Sequence, residues 1–205
     1  MTLVEDIVVK VLGHREYLSS LEEMRSFTSA RNDDTPDELW IVEHPPVYTL
    51  GQGAAVPKIA NGIPLVQSDR GGEITYHGPG QAVIYTLVDL ARRGIKVKPF
   101  VHLLEQSVID FLGANVITGE RKSGMPGVYV GGAKIAALGI RVRRGRAYHG
   151  VALNVDMDLS PFSAIDPCGF PGLAVTQMKD LGFKDSLEET AKKLAGHIIR
   201  NLEDA

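Results

Sequence analysis

The chain has 205 residues, of which 44% are apolar and 23% charged, and a formal net charge of −3. These are ordinary globular values, and the length suits one domain, residues 1–205. The near-neutral balance offers no global basic field for nucleic acid, no apolar run approaches the roughly 20 residues that span a bilayer, and the single cysteine excludes an internal disulfide.

Taken in chain order, EDIVVKVLG reads as a first strand. Tyr17, Leu18, Leu21, Met24 and Phe27 then recur at helical spacing, so residues 14–31 are predicted as an amphipathic helix. DELWIVEH alternates as a strand that Pro45 and Pro46 stop, and QAVIYTLVDL, residues 81–90, is the β-branched run of a buried strand. A second helix is predicted to open at Pro99, to carry Phe100, Leu103, Leu104, Val108, Phe111 and Leu112 inward, and to close near Gly113. From residue 127 a meander follows: GVYV and AKIAALGIRVR flank a Gly131-Gly132 turn, and RRGR returns the chain into AYHGVALNVDM. Residues 160–185, rich in proline and glycine, read as loop. Ser186 and Glu189 form a capping-box pattern ahead of a helix whose buried stripe is Leu187, Ala191, Leu194, Ile198 and Leu202. The sum is an α+β fold, a mixed β-sheet flanked by helices, without regular βαβ alternation.

The opening MTLVEDIVVKV has acids where a secretory signal carries bases, so no export signal is read and the cytoplasm is the expected compartment.

The stretch RGGEITYHGPGQ, residues 70–81, combines glycines with Arg70, Thr75, Tyr76, His77 and Gln81. No lysine follows the glycines as in a phosphate loop, and a strand rather than a helix comes next, so a nucleotide cradle is a poor fit. Glycines that admit close approach, interleaved with hydrogen-bonding side chains, suit the wall of a narrow pocket. Cys168, in IDPCGFPG, sits among backbone-setting residues that make a poor place for a core thiol. An ordinary thiol is only about 3% thiolate at neutral pH, so a nucleophilic role needs a cation or base beside it. Lys134, His77 and His149 are the candidates. From position alone, a lysine at a hairpin edge pointing to water and one drawn into a pocket are equally good readings of Lys134.

The pattern Arg70-Gly71-Gly72, Thr75, Tyr76, His77, Gly80, Gln81 resembles the signature of the lipoyl(octanoyl)transferase family, also called lipoate-protein ligase B. GGAKIAALG, RRGRAYHGVALNVDMDLSPF and DPCG follow in that family's order, so the resemblance covers nearly the whole chain from EHPPVYTLG onward. It implies the biotin and lipoate ligase architecture, which is class II synthetase-like, and a Cys168–Lys134 catalytic pair. It implies substrate contacts from Arg70, Gly71, Gly72, Glu73, Ile74, Thr75, Tyr76 and His77, from Ala137, Leu138 and Gly139, and from Gly150, Val151 and Ala152. The small residues in ALG and GVA are expected to leave room for an aliphatic tail, and His149 and Asn154 to face the site. The implied reaction moves an octanoyl group from acyl carrier protein through a Cys168 thioester to a lysine of lipoyl domains. Those acceptors belong to 2-oxoacid dehydrogenase complexes and the glycine cleavage H protein. No cofactor or metal, no nucleic acid and no membrane is implied. Arg141, Arg143, Arg144 and Arg146 form a candidate docking patch for an acidic carrier, or else a solvated turn. Two alternatives stand beside the transferase: an ATP-dependent lipoate or biotin ligase of the same fold, and a non-catalytic module that binds acyl carriers or lipoyl domains.

Overall fold

The run QAVIYTL is buried at every position because helices or strands cover both faces of the sheet that it centres. Leu39, Ile41, Ala82 and Ile84 belong to one apolar cluster, whereas Trp40, Val42, Val83 and Tyr85 belong to another. The period-two alternation of a strand is thus present but sorts residues between two cores rather than between core and water.

The computed structural model describes residues 7–54, 61–165 and 172–205. Strands β1 (Val8–His14) and β2 (Glu38–Glu43) are parallel and joined by helix α1 (Tyr17–Ala30). A small sheet follows, of β3 (Val47–Leu50), β4 (Leu65–Gln67) and β5 (Ile74–His77), in the order β4-β3-β5. Then come β6 (Gln81–Leu87), the short helix α2 (Leu90–Arg93) and helix α3 (Val97–Ala114). The meander consists of β7 (Glu120–Lys122), β8 (Met125–Val130), β9 (Ala133–Arg143) and β10 (Arg146–Asn154), and helix α4 (Leu187–Glu203) closes the chain. The large sheet is seven-stranded, ordered β1-β2-β6-β10-β9-β8-β7, and antiparallel apart from β1–β2. Helices α3 and α4 cover one face; α1 and part of the small sheet cover the other. This is the expected mixed sheet flanked by helices. Among the described residues no helix is long and apolar enough to cross a membrane.

The predicted elements recur with shifted ends. The strand expected over 81–90 leaves the sheet after Leu87, because Asp89 turns to cap α2 by accepting from the Arg92 N–H. The helix expected at Pro99 begins at Val97; a proline there costs nothing, since the first-turn N–H groups have no intrahelical partner. Among the described residues, the segment over 160–185 is loop interrupted by two short 3-10 turns, Ser160–Ala164 and Lys179–Leu181. The capping box forms as read: the Ser186 hydroxyl accepts from the Glu189 N–H, and the Glu189 carboxylate accepts from the Ser186 N–H. Leu194, Ile198 and Leu202 bury the stripe behind it, each contributing about 1.5–3 kcal/mol of transfer free energy.

A buried ionic hub ties the loop before β2 to α2. Asp37 accepts from Arg31 at 2.6 Å, Arg92 at 2.9 Å and Arg93 at 2.6 Å, and the Asp37 and Arg31 side chains are both fully buried.

Candidate active site

Between the large sheet and the loop of residues 70–77 lies a cavity of about 400 Å³. Its floor is built in cross-strand rungs. Asn154 faces Gln81, Ala152 lies between Val83 and Ala137, and Gly150 lies between Tyr85 and Gly139. The middle rung, Ala152 with Val83 and Ala137, is small and apolar, so the floor can receive an aliphatic chain laid across the strands.

Lys134 lines this cavity and is only 4% exposed. A β-bulge aims it there. Tyr129 pairs with Lys134 but Val128 pairs with Ala136, so Ile135 is an extra residue in β9. Consequently Ile135 and Ala136, although consecutive, both join the core under α3 and α4. The shifted phase brings Lys134 to the face shared by Ala137 and Gly139. Its Nζ donates to the Pro126 carbonyl at 2.8 Å and lies over the Tyr129 ring. Gly127 makes this possible: its φ is 134°, and a Cβ there would come within 2.5 Å of Lys134 Cε. Beyond the end of β10 the segment 174–176 takes over as partner, since the Lys134 N–H donates to the Ala174 carbonyl and the Thr176 N–H to the Lys134 carbonyl. A hairpin-edge lysine pointing to water is not what the fold builds.

Arg70 is an anchor of the cavity wall. Its Nε and Nη2 donate to Thr49 Oγ1, Nη2 also to the Thr49 carbonyl, and Nη1 to the Gly71 carbonyl. His77 is buried, and its tautomer follows from two backbone carbonyls. Gln81 Nε2 donates to the Tyr76 carbonyl and to Asn154 Oδ1, while Asn154 Nδ2 donates to the Thr176 carbonyl. Gln81 Oε1 must therefore face His77 Nδ1, at 2.7 Å, and Nδ1 carries the proton. Burial, reinforced by His44, lowers the His77 pKa to about 3, so the ring is neutral near pH 7.

His149 also faces the cavity, through a distorted backbone. Its φ is +63°, a left-handed conformation that costs a non-glycine residue about 1–2 kcal/mol. Its ring then meets Tyr85 and Tyr148, and its Nε2 contacts Asp69 Oδ1 at 2.8 Å. Burial would raise the Asp69 pKa, but hydrogen bonds from His149, Tyr148 and Arg25 outweigh it and hold the carboxyl well below its usual range. The next residue, Gly150, is tightly packed: a Cβ there would lie 2.1 Å from the Ile84 carbonyl oxygen.

Of the residues expected at the site, Arg70, Gly71, Gly72, Glu73, Ile74, Thr75, His77, Lys134, Ala137, Leu138, Gly139, Gly150, Val151 and Ala152 all line the cavity, as do His149 and Asn154. Tyr76 does not. Its ring packs against Tyr48 and Phe162, in the apolar cluster it shares with Ile74. Cys168 lies outside the described residues. Sequence reading passed over Tyr17 on the cavity wall, Val83 and Tyr85 on its floor, and Gly127 behind Lys134. Only Gly127 left a signal, a glycine inside a strand pattern.

The model of the Lipoyl protein ligase A/B catalytic domain matches residues 16–199. The chain belongs to that family. The octanoyltransferase of Dechloromonas aromatica (strain RCB) is 57% identical over 198 residues, 96% of this chain and 97% of that protein. In three dimensions the fold resembles the bi-partite lipoate protein ligase of Thermoplasma acidophilum, with a TM-score of 0.76 at 16% identity, covering 96% of this chain and 84% of that one. It also resembles the biotin protein ligase of Aquifex aeolicus solved with biotin and ATP, with a TM-score of 0.59 at 11% identity, covering 98% and 71%. The expected biotin and lipoate ligase architecture is the one observed. Within this family fold the large sheet forms the cavity floor, and the small sheet and its loop form the wall.

Proposed function

We propose that the protein is a single-domain, cytoplasmic octanoyltransferase of protein lipoylation, with acyl carrier protein as donor and lipoyl domains as acceptors. The observation that carries this reading is the placement of a buried Lys134 at the edge of an apolar-floored cavity. The octanoyltransferase name of a relative 57% identical supplies the acyl group. Phe162 and Val175, on either side of Cys168 in the chain, both line the cavity.

In the proposed reaction the Cys168 thiolate attacks the thioester carbonyl, and the tetrahedral intermediate collapses to Cys168 acyl-thioester and carrier thiolate. The Lys134 ammonium gives that thiolate its proton. The neutral Lys134 amine then takes a proton from the acceptor amine as it attacks the acyl-enzyme, an amide forms, and Cys168 leaves as thiolate beside a recharged Lys134. Thioester to amide is downhill, so the cycle closes without ATP. The acyl tail lies over Ala137, Ala152 and Val83, and the loop of Arg70 to His77 closes over it.

The likeness to a ligase solved with ATP keeps an ATP-dependent reaction as the second reading. Intact-mass measurement after mixing the protein with octanoyl-carrier, without ATP, separates the two. One added octanoyl group, absent in Cys168→Ala, is expected; acylation of lipoyl domain that requires ATP and never marks the protein supports the ligase.

A further inference from the structure

Glu105 is a buried carboxylate, 8% exposed, on the face of α3 that meets the sheet, and the proposed reaction has no use for it. Its Oε1 accepts from the Gly127 N–H at 3.0 Å, and its Oε2 accepts from Arg121 Nε at 3.1 Å, with His102 Nδ1 at 3.7 Å. The Gly127 N–H and the Pro126 carbonyl are the two ends of one peptide group. That carbonyl receives Lys134 Nζ at 2.8 Å. One planar unit therefore joins a carboxylate on a helix to an amine in the cavity, and its orientation is set from the far side of the sheet.

We infer that Glu105 is a positioning residue for the transfer: it pins the Pro126–Gly127 peptide, and through it the Lys134 amine. Without it the peptide, flanked by a glycine free to change φ and ψ, can rotate its carbonyl away from Lys134. Arg121 holds the carboxylate in turn, which keeps a buried charge paired. The hydrogen-bonding oxygen, rather than the charge, performs the task. The inference rests on the proposed use of Lys134 beside Cys168.

Turnover and iodoacetamide alkylation of Cys168, followed by intact mass, are measured for Glu105→Ala, Glu105→Gln, Lys134→Ala and the double variant Glu105→Ala/Lys134→Ala. The assay temperature is one at which circular dichroism shows each folded. Glu105→Ala is expected to lower kcat about tenfold or more while the KM for octanoyl-carrier stays within about twofold. Glu105→Gln, which keeps the acceptor oxygen, is expected to stay within about threefold of the native kcat. Alkylation slows in both Ala variants, and the double variant alkylates no more slowly than Lys134→Ala, because the two act in series. A merely structural Glu105 lowers the melting temperature without this non-additivity. A Glu105→Ala protein with native kcat, a Gln variant as slow as the Ala variant, or additive effects in the double variant overturns the inference. If Lys134→Ala itself turns over and alkylates as the native protein does, the proposed reaction fails instead.

Discussion

A Cβ on Gly127 would lie 2.5 Å from Lys134 Cε, 3.0 Å from its Nζ and 2.8 Å from the Ala136 carbonyl oxygen. The side chain can yield, but the carbonyl belongs to the sheet and cannot. Gly127→Ala is therefore expected to displace the amine, strain a φ of 134°, and lower transfer at least about tenfold with a stability loss of about 1–3 kcal/mol. Turnover and a thermal melt on the same sample check it; a native rate would mean that Lys134 keeps its place without the glycine.

Removing the Asp37 charge tests the ionic hub. In Asp37→Asn the fully buried Arg31 loses its counter-ion, and Arg92 and Arg93 lose theirs in part. Breaking a buried pair from one side costs about 3–5 kcal/mol, so urea unfolding is expected to show a loss of that size. A midpoint within error of the native one would make the hub neutral to stability.

Stability should also fall with acid. His44 is pushed down to about 4 and His77 to about 3, in both cases by burial first, from an unfolded value of 6.5. Each folded-state pKa is depressed, so each neutral ring stabilises the fold fully above pH 6.5, and that contribution is lost as pH falls toward the folded values. The slope per ring approaches about 1.4 kcal/mol per pH unit across that window. The urea midpoint is expected to be clearly lower at pH 5 than at pH 7, and an unchanged midpoint would falsify the assignment of both rings as neutral and buried.

The candidate docking patch for an acidic carrier narrows to two arginines. Arg146 is engaged by Asp89 and the Arg31 carbonyl, and Arg141 contacts Gln52, whereas Arg143 and Arg144 are exposed near and in the β9–β10 turn. Reversing both to glutamate is expected to raise the KM for octanoyl-carrier at low salt, with the difference fading as ionic strength rises. Steady-state kinetics across a salt series measures it; an unchanged KM at low salt removes the patch.

Long periodic segments and turn chemistry were legible in the sequence. The Gly131-Gly132 turn has φ of 54° and 84°, and α4 begins at its capping box. The strands of the small sheet were not legible, because three or four residues carry too little alternation to stand out. At the site, Arg70, Thr75 and His77 announced themselves by composition, whereas the packing of Tyr76 against Tyr48 and Phe162 is tertiary and left no local signal. Gly150 looked like space for substrate, but the Ile84 carbonyl fills that space. Gly139 similarly makes room for Arg70 and Gly71. Glu105 was invisible for another reason: on α3 it reads as one more helical residue, and its partner is brought to it only by tertiary folding.

The extra residue at Ile135 has a consequence for how the centre tolerates a change in length. Side-chain direction along a regular strand is a parity that one insertion or deletion inverts on one side of the change, but a bulge residue stands outside that count. Excising Ile135 would set Lys134 directly before Ala136, keep the pairings of Tyr129 with Lys134 and of Val128 with Ala136, and leave the amine on the cavity face. The bulge lets one more apolar side chain enter the helix-covered core between two residues whose directions are already set, and loss of that single codon spares the direction of every cavity side chain.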